Sequence, residues 1–470
     1  MLFNSYEFIF FFLPITFYIY FLLNKKGLYS YSRIFLVFSS LFFYSWWNVI
    51  YLPLILFSIF FNYIIGTTLS KSHEKNKTGL NKNFTKKSIL IFGVFCNLLL
   101  LAYFKYTDFF LENFNGIFGS NIPLQHIILP LGISFFTFTQ IAFLVDAYKN
   151  EVKEYDLVRY MLFVTYFPHL LAGPILHHKE MMPQFKDKLN SYINLENITK
   201  GIFIFTIGLF KKVVIADSFA SYATNGFDVQ EKLNFIEAWL TSLSYTFQLY
   251  YDFSGYSDMA IGIALLFNIK LPVNFNSPYK ASNVQDFWRR WHMTLSRFLR
   301  DYIYIPLGGN KVSEVSIYIN LLITFLLAGI WHGAGWTFIF WALLHALAIV
   351  CNRIWRRFNI KLNYVISWII TFNFINITWI FFRAKNFDDA IKVLEGLVGL
   401  NGLGLETILL EKFLIIGLFL TLLISIFAKN SIELINNFKA DFKTVVFLSL
   451  LFSISIIFLT RVSEFLYFDF

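Results

Sequence analysis

The sequence predicts an all-α polytopic membrane protein of roughly ten to twelve transmembrane helices, with re-entrant and interfacial helices besides. Three observations carry this. Of 470 residues, 57% are hydrophobic and only 14% charged, where a soluble domain carries about 25% charge. The apolar residues come in long blocks: residues 89–106 hold one charge near their end, and residues 413–428 and 445–460 hold none. A hydrocarbon slab of about 30 Å needs roughly 20 apolar helical residues, fewer where the ends snorkel. The basic excess behind the net charge of +10 collects in short connections, residues 25–33, 71–87, 179–188, 280–311 and 353–361. That is the pattern of cytoplasmic loops, so the charge reports topology and calls for no nucleic-acid partner.

In chain order, residues 8–23 form the first span. Glu7 and no Lys or Arg precede the block, and Asn24-Lys25-Lys26 ends it, so it reads as a retained helix and not as a secretory signal. With the five basic connections in the cytoplasm, the N-terminus lies outside and residues 34–70 form a hairpin. Residues 383–412 and the acidic tail 464–470 then also lie outside. The loop holding Lys71, Lys75, Lys77, Lys82, Lys86 and Lys87 faces solvent and lipid headgroups. Cys96 and Cys351, each in an apolar run, make neither a disulfide framework nor a metal knuckle. Two places break the helical pattern. Residues 167–174 put Pro168, Gly173 and Pro174 into apolar sequence too short to span, which is tolerated only inside protein or beside a water-filled cavity. The second place is Gly329, Gly333 and Gly335 around His332. No inverted repeat of the transporter kind is visible.

Residues 285–302, QDFWRRWHMTLSRFLRDY, fit one amphipathic helix. Phe287, Trp288, Trp291, Leu295, Phe298, Leu299 and Tyr302 fall within about 120° of a helical wheel. Arg289, Ser296 and Arg300 line the opposite face, with His292 at the edge. Such a helix lies at the membrane interface. Its basic face is either a plain contact with lipid phosphates or a dock for an anionic donor or its carrier.

The run WHGAGW, residues 331–336, follows the largely apolar stretch 317–330. About sixteen residues at roughly 1.5 Å each place His332 about 24 Å along a span. An ionisable side chain at that depth is a functional-site hypothesis by default, and glycines beside it leave room for a substrate chain. The alternative is a histidine that pins two helices by hydrogen bonding. His345, thirteen residues on, lies on the opposite face of a continuous helix and reads as structural.

Asp252 and Asp258, in QLYYDFSGYSDMAIG at residues 248–262, stand in an apolar zone. They satisfy buried arginines or line a polar tunnel. No nucleophile elbow, phosphate loop or dinucleotide fingerprint occurs. His177-His178-Lys179-Glu180 lacks the spacing of a zinc site, and no metal is expected.

The runs DFWRRWHMTLSRFLRDYIYIPLGG (286–309) and LAGIWHGAGWTFIFWALLH (327–345) resemble the membrane-bound O-acyltransferase family, in its bacterial alginate and peptidoglycan O-acetyltransferase branch. LPLGISFFTFTQIAFLVDAYK (129–149), FPHLLAGPI and YYDFSGYSDMAIG extend the likeness over nearly the whole chain. The resemblance implies one membrane domain over residues 1–470, with a signature core at about 127–350 and peripheral spans at 1–110 and 360–470. It places His332 at the family's membrane-embedded catalytic histidine and His292 at the second signature histidine, and makes these two the candidate catalytic residues. Two departures stand out. His169 occupies a position where a glutamine is expected, and His177-His178 one where relatives often carry an arginine.

The resemblance further implies an enzyme of the bacterial cytoplasmic (inner) membrane that O-acetylates a cell-envelope polysaccharide. Acetyl-CoA is the expected acyl donor, with no bound cofactor. Trp288, Arg289, Ser296, Arg300, Asp258 and Trp331 are the candidate donor-binding or tunnel residues. A periplasmic serine-esterase-like O-acetyltransferase is the expected partner, alongside the acyl donor and membrane lipids. A neutral buried imidazole would take the proton of an attacking hydroxyl. Two other readings stay open: D-alanyl transfer from a carrier protein to teichoic acid, and a glycolipid flippase or transporter. Heavy use of Lys, Asn, Ile and Phe suggests an AT-rich bacterial genome and favours peptidoglycan over alginate.

Overall fold

A computed structural model describes residues 1–74, 81–154, 156–460 and 466. Among the described residues every regular element is helical. Contacts group the chain into two compact units, Met1–Phe205 with Met259–Pro272, and Thr206–Asp258 with Val273–Phe470. The sequence suggested no such division: two of its three boundaries, after Phe205 and after Asp258, fall inside the apolar helices Leu195–Phe210 and Phe235–Leu266, and the third, after Pro272, falls in a connection.

The first unit opens with a π turn, Phe8–Phe12, leading into α1 (Leu13–Lys25), then α2 (Tyr29–Ser45), α3 (Leu52–Glu74) and α4 (Asn81–Phe118). Lys75 and Lys77 of the basic loop lie outside the described residues, as does Glu464 of the acidic tail. In a hydrocarbon environment, polar side chains must find partners within the protein. Asn62 of α3 and Asn97 of α4 do so by exchanging amide hydrogen bonds of 3.1 and 2.7 Å. The unit continues with α5 (Ile133–Tyr148), α6 (Leu157–Thr165), α7 (Phe167–Leu170) and α8 (His178–Lys186), and α9 (Leu195–Phe210) begins in it. The proline-broken segment is buried from residue 162 to 178, as expected for irregular backbone enclosed by protein. His169 Nε2 meets the Phe163 carbonyl at 2.9 Å. His177 and His178 face separate buried carboxylates, Asp146 at 3.7 Å and Glu154 at 3.6 Å.

The second unit holds α10 (Asp217–Thr224), most of α11 (Phe235–Leu266), α12 (Val284–Trp288), α13 (Met293–Leu299), α14 (Glu314–His332), α15 (Trp336–Trp355) and α16 (Tyr364–Arg383). It closes with α17 (Phe387–Leu397), α18 (Glu406–Leu410), α19 (Lys412–Phe427), α20 (Ser431–Asn436) and α21 (Phe442–Phe458). Among the described residues six helices are long and apolar enough to cross a membrane, and Ile133–Tyr148, Lys412–Phe427 and Phe442–Phe458 are shorter apolar helices. Together these are nine apolar helices among the described residues, beside the roughly ten to twelve spans expected from the sequence.

Inside this unit, Asp252 and Asp258 of α11 meet Lys212 and Lys211, where the sequence left buried arginines or a polar tunnel as the alternatives. Lys212 Nζ lies 2.6 Å from Asp252 and 2.9 Å from Asp217, all three buried. Lys211 Nζ lies 2.7 Å from Asp258, whose other contact is the Ser431 hydroxyl. Removing one partner of a buried ion group leaves an uncompensated charge, so these pairs lock α10 and α11 to the turn after α9. The helices meet closely because Gly255 lacks a side chain: an added Cβ would sit 2.7 Å from the Gly208 carbonyl oxygen and 3.0 Å from the Lys212 nitrogen. Backbone cannot step aside as a flexible side chain can. Gly255→Leu is therefore expected to destabilise by at least about 1–3 kcal/mol. Gly116→Ala, where nothing lies within 4 Å of the added Cβ, is expected to be neutral or stabilising by up to about 1 kcal/mol. Thermal unfolding of both variants in detergent checks the contrast.

Candidate functional site

The site is built on the hairpin of α14 and α15. Ser313 caps α14, its Oγ accepting the Ser316 amide at 3.3 Å, and the apolar helix runs without a break to His332. There Gly333 and Gly335 adopt extended backbone, φ −161° and −165°, which any residue can take. Gly333 and Gly329 are needed for space, whereas a Cβ on Gly335 would come no closer than 3.5 Å to Phe338. A Cβ on Gly333 would lie 2.1 Å from the Phe338 ring, and one on Gly329 would lie 2.5 Å from Ala342 Cβ and 2.7 Å from the Phe338 carbonyl. The sequence reading gave this room to a substrate chain. The structure fills it with α15.

His332 is 3% exposed and walled by aromatic rings: Trp331 at 4.9 Å, Phe382 at 5.2 Å and Trp341 at 5.3 Å between centroids. His345 does not lie on an opposite face. Because the helix breaks at Gly333, α15 folds back and carries His345 into the same cluster, 4.9 Å from Trp341. Its Nδ1 accepts the Trp288 indole N–H at 3.2 Å, which ties α15 to α12.

The amphipathic stretch is not one helix. α12 stops at Trp288, and His292 takes the left-handed conformation, φ 41° and ψ 54°, before α13 starts at Met293. A non-glycine residue there is strained and needs support from its surroundings. The support comes from residue 274. The Met293 amide donates to the Asn274 carbonyl at 2.9 Å, and Asn274 Oδ1 accepts the Thr294 amide at 3.3 Å and its hydroxyl at 2.9 Å. An atom that accepts a backbone N–H is the amide oxygen, so His292 Nδ1, 3.0 Å away, carries the proton and donates it. The basic lone pair is then on Nε2. His292 is fully buried and not at a helix edge, and burial pushes its pKa down to about 3. The Trp331 ring, 6.4 Å from His292 and 4.9 Å from His332, neighbours both histidines.

A cavity of about 170 Å³ ends on His332. One wall is a single face of α14, Leu321, Thr324, Phe325, Ala328 and His332, which recurs at helical spacing over about 16 Å. The other wall is Trp288 with Leu295, Ser296, Leu299 and Arg300, and Tyr304 beyond them. The walls are largely apolar. Charge appears only at the exposed end, where Arg300 pairs with Asp301 at 2.7 Å.

Of the residues singled out from sequence, Trp288, Ser296, Arg300 and His332 line this cavity together. Arg289 is exposed and lies off the lining. It shares a wheel face with Ser296 and Arg300 only if the helix is continuous. Trp331 stands beside His332 outside the lining, and Asp258 is committed to Lys211 and Ser431 elsewhere in the unit. Sequence reasoning missed Asn274, which sits in a loop without periodic pattern. It also missed the α14 face, whose spacing was available to be read.

The profile of the membrane-bound O-acyltransferase family matches residues 9–387. The chain is 49% identical to a peptidoglycan O-acetyltransferase of Helicobacter pylori, over all of this chain and 98% of that protein. It is 38% identical to a probable alginate O-acetylase of Pseudomonas aeruginosa, over 84% of this chain and 75% of the relative. A teichoic acid D-alanyltransferase of Bacillus subtilis is 29% identical over 56% of this chain and 71% of its own length. The chain belongs to the membrane-bound O-acyltransferase family and is a multi-pass membrane O-acyltransferase.

Proposed function

We propose that this enzyme passes an acetyl group from acetyl-CoA on the cytoplasmic side to an acceptor on the outside, for O-acetylation of a cell-envelope polysaccharide, with peptidoglycan favoured. The cavity that ends on His332 carries the reading. Its bore suits the thioester arm, and Arg300 at its exposed end suits the donor's phosphates. The identity of 49% over the whole chain to a peptidoglycan O-acetyltransferase supports the substrate class. D-Alanyl transfer draws on relatives at 29% and 28% identity, over 56% and 50% of the chain.

In this reading His332 is the general base. The acceptor oxygen bonds to the acyl carbon as its proton passes to the imidazole. The carbon–sulfur bond then breaks, and the thiolate takes the proton back. Ester, free thiol and neutral His332 remain. His292, held by Asn274 next to Trp331, is a positioning residue for that end of the cavity. The chain lies in the bacterial cytoplasmic membrane with its N-terminus outside, and a periplasmic serine-esterase-like O-acetyltransferase receives the acetyl group and delivers it to the glycan.

His332→Ala is expected to reach the membrane at wild-type level and to lower envelope O-acetyl ester by at least about 10²-fold. Unchanged ester in cells carrying only that variant removes the catalytic assignment. Ala328→Phe fills the cavity while leaving His332 in place, and is expected to cut kcat/KM for labelled acetyl-CoA by at least about tenfold. Ile319→Phe, on an exposed position of the same helix, is the matched control and is expected to keep the wild-type value.

A further inference from the structure

We propose that a recess at the basic end of α1, inside the first unit, binds the phosphate headgroup of an anionic membrane phospholipid. The recess measures about 280 Å³ and is bounded by the end of α1, the start of α2, α6, the end of α8 and the turn Lys188–Ser191. Arg33, Arg159, Lys186 and Lys188 line it together with Asn24 and Ser32, and the lining contains no carboxylate.

Two of the four cations are partly neutralised from outside the recess, Arg159 by Asp156 at 3.1 Å and Lys186 by Glu154 at 3.8 Å. Arg33 spends its Nε–H on the Tyr29 carbonyl at 3.2 Å, and among the described residues neither Arg33 nor Lys188 has a carboxylate at ion-pair distance. Deeper in, the buried Ser32 hydroxyl donates to Asn24 Oδ1 at 2.6 Å. Two surplus positive charges above polar walls fit a phosphate diester. In water, like charges gathered this way repel one another; an anion relieves that.

The rim identifies the source of the phosphate. Leu189, Tyr192, Ile193 and Leu195 follow directly on Lys188, and Tyr31 stands beside the opposite wall. All five are more than half exposed. A soluble phosphate compound has no use for such a rim. A lipid does: at headgroup depth the apolar side chains enter the acyl region while the cations stay at phosphate level. The recess therefore fixes the depth and rotation of α1 and α2 in the leaflet.

The test uses the full chain in nanodiscs of phosphatidylcholine containing phosphatidylglycerol, extracted and read by native mass spectrometry. The wild type is expected to retain phosphatidylglycerol in preference to phosphatidylcholine. Arg33→Gln with Lys188→Gln is expected to weaken retention about thirtyfold, at roughly fivefold per cation. The charge-matched pair Lys179→Gln with Lys200→Gln, whose side chains pair with Glu151 and Glu196 outside the recess, is expected to retain lipid as the wild type does. If the first pair does not insert, Lys188→Gln alone, at an exposed position, reads the fivefold loss. Equal loss in both pairs, no preference for phosphatidylglycerol in the wild type, or stabilisation by inorganic phosphate that matches the lipid's overturns the proposal.

Discussion

The close contact between α14 and α15 governs the rest of the site. At Gly329 there is no room for even a methyl group against the Phe338 carbonyl and Ala342 of α15, and at Gly333 the Phe338 ring takes that space. That contact ends α14 at His332, turns the chain, and sets Trp341 of α15 against the imidazole. It also brings His345 within reach of the Trp288 indole, which fixes the second wall of the cavity. Small residues at helix crossings are the usual means of association where lipid removes the hydrophobic drive between helices. Here the same device aims a titratable side chain. Widening the crossing by one side chain would shift His332, Trp288 and the space between them together.

A second constraint follows from the solvent. Polar groups inside an apolar bundle stay only if the protein itself supplies partners. Among the described residues this demand is met by, for example, paired amides at Asn62 and Asn97, lysine–carboxylate groups around Asp252 and Asp258, and the Asn274–His292–Thr294 cluster. The last of these lies in the neighbourhood of the proposed chemistry. It supports a strained left-handed residue at the break between α12 and α13, and that break turns Ser296 and Arg300 toward the cavity while leaving Arg289 outside it. The strain thus has a function: an uninterrupted helix would present all three on one solvent-facing side.

The membrane class, the helical content and the two histidine-bearing segments were legible in the linear order of residues, because each depends on local composition. A block of apolar residues must be helical to satisfy its own backbone in lipid, and WHGAGW marks a helix end by its glycines alone. The kink at His292 was not legible. Residues 285–302 satisfy an amphipathic wheel from end to end, and the group that overrules it, Asn274, arrives from another part of the chain. The role of the glycines, the partners of Asp252 and Asp258, and the place of His345 were hidden for the same reason. Local pattern determined which residues enter the membrane and where its polar exceptions fall; tertiary packing alone decided which of them share one cavity, since that depends on contacts between helices far apart in sequence.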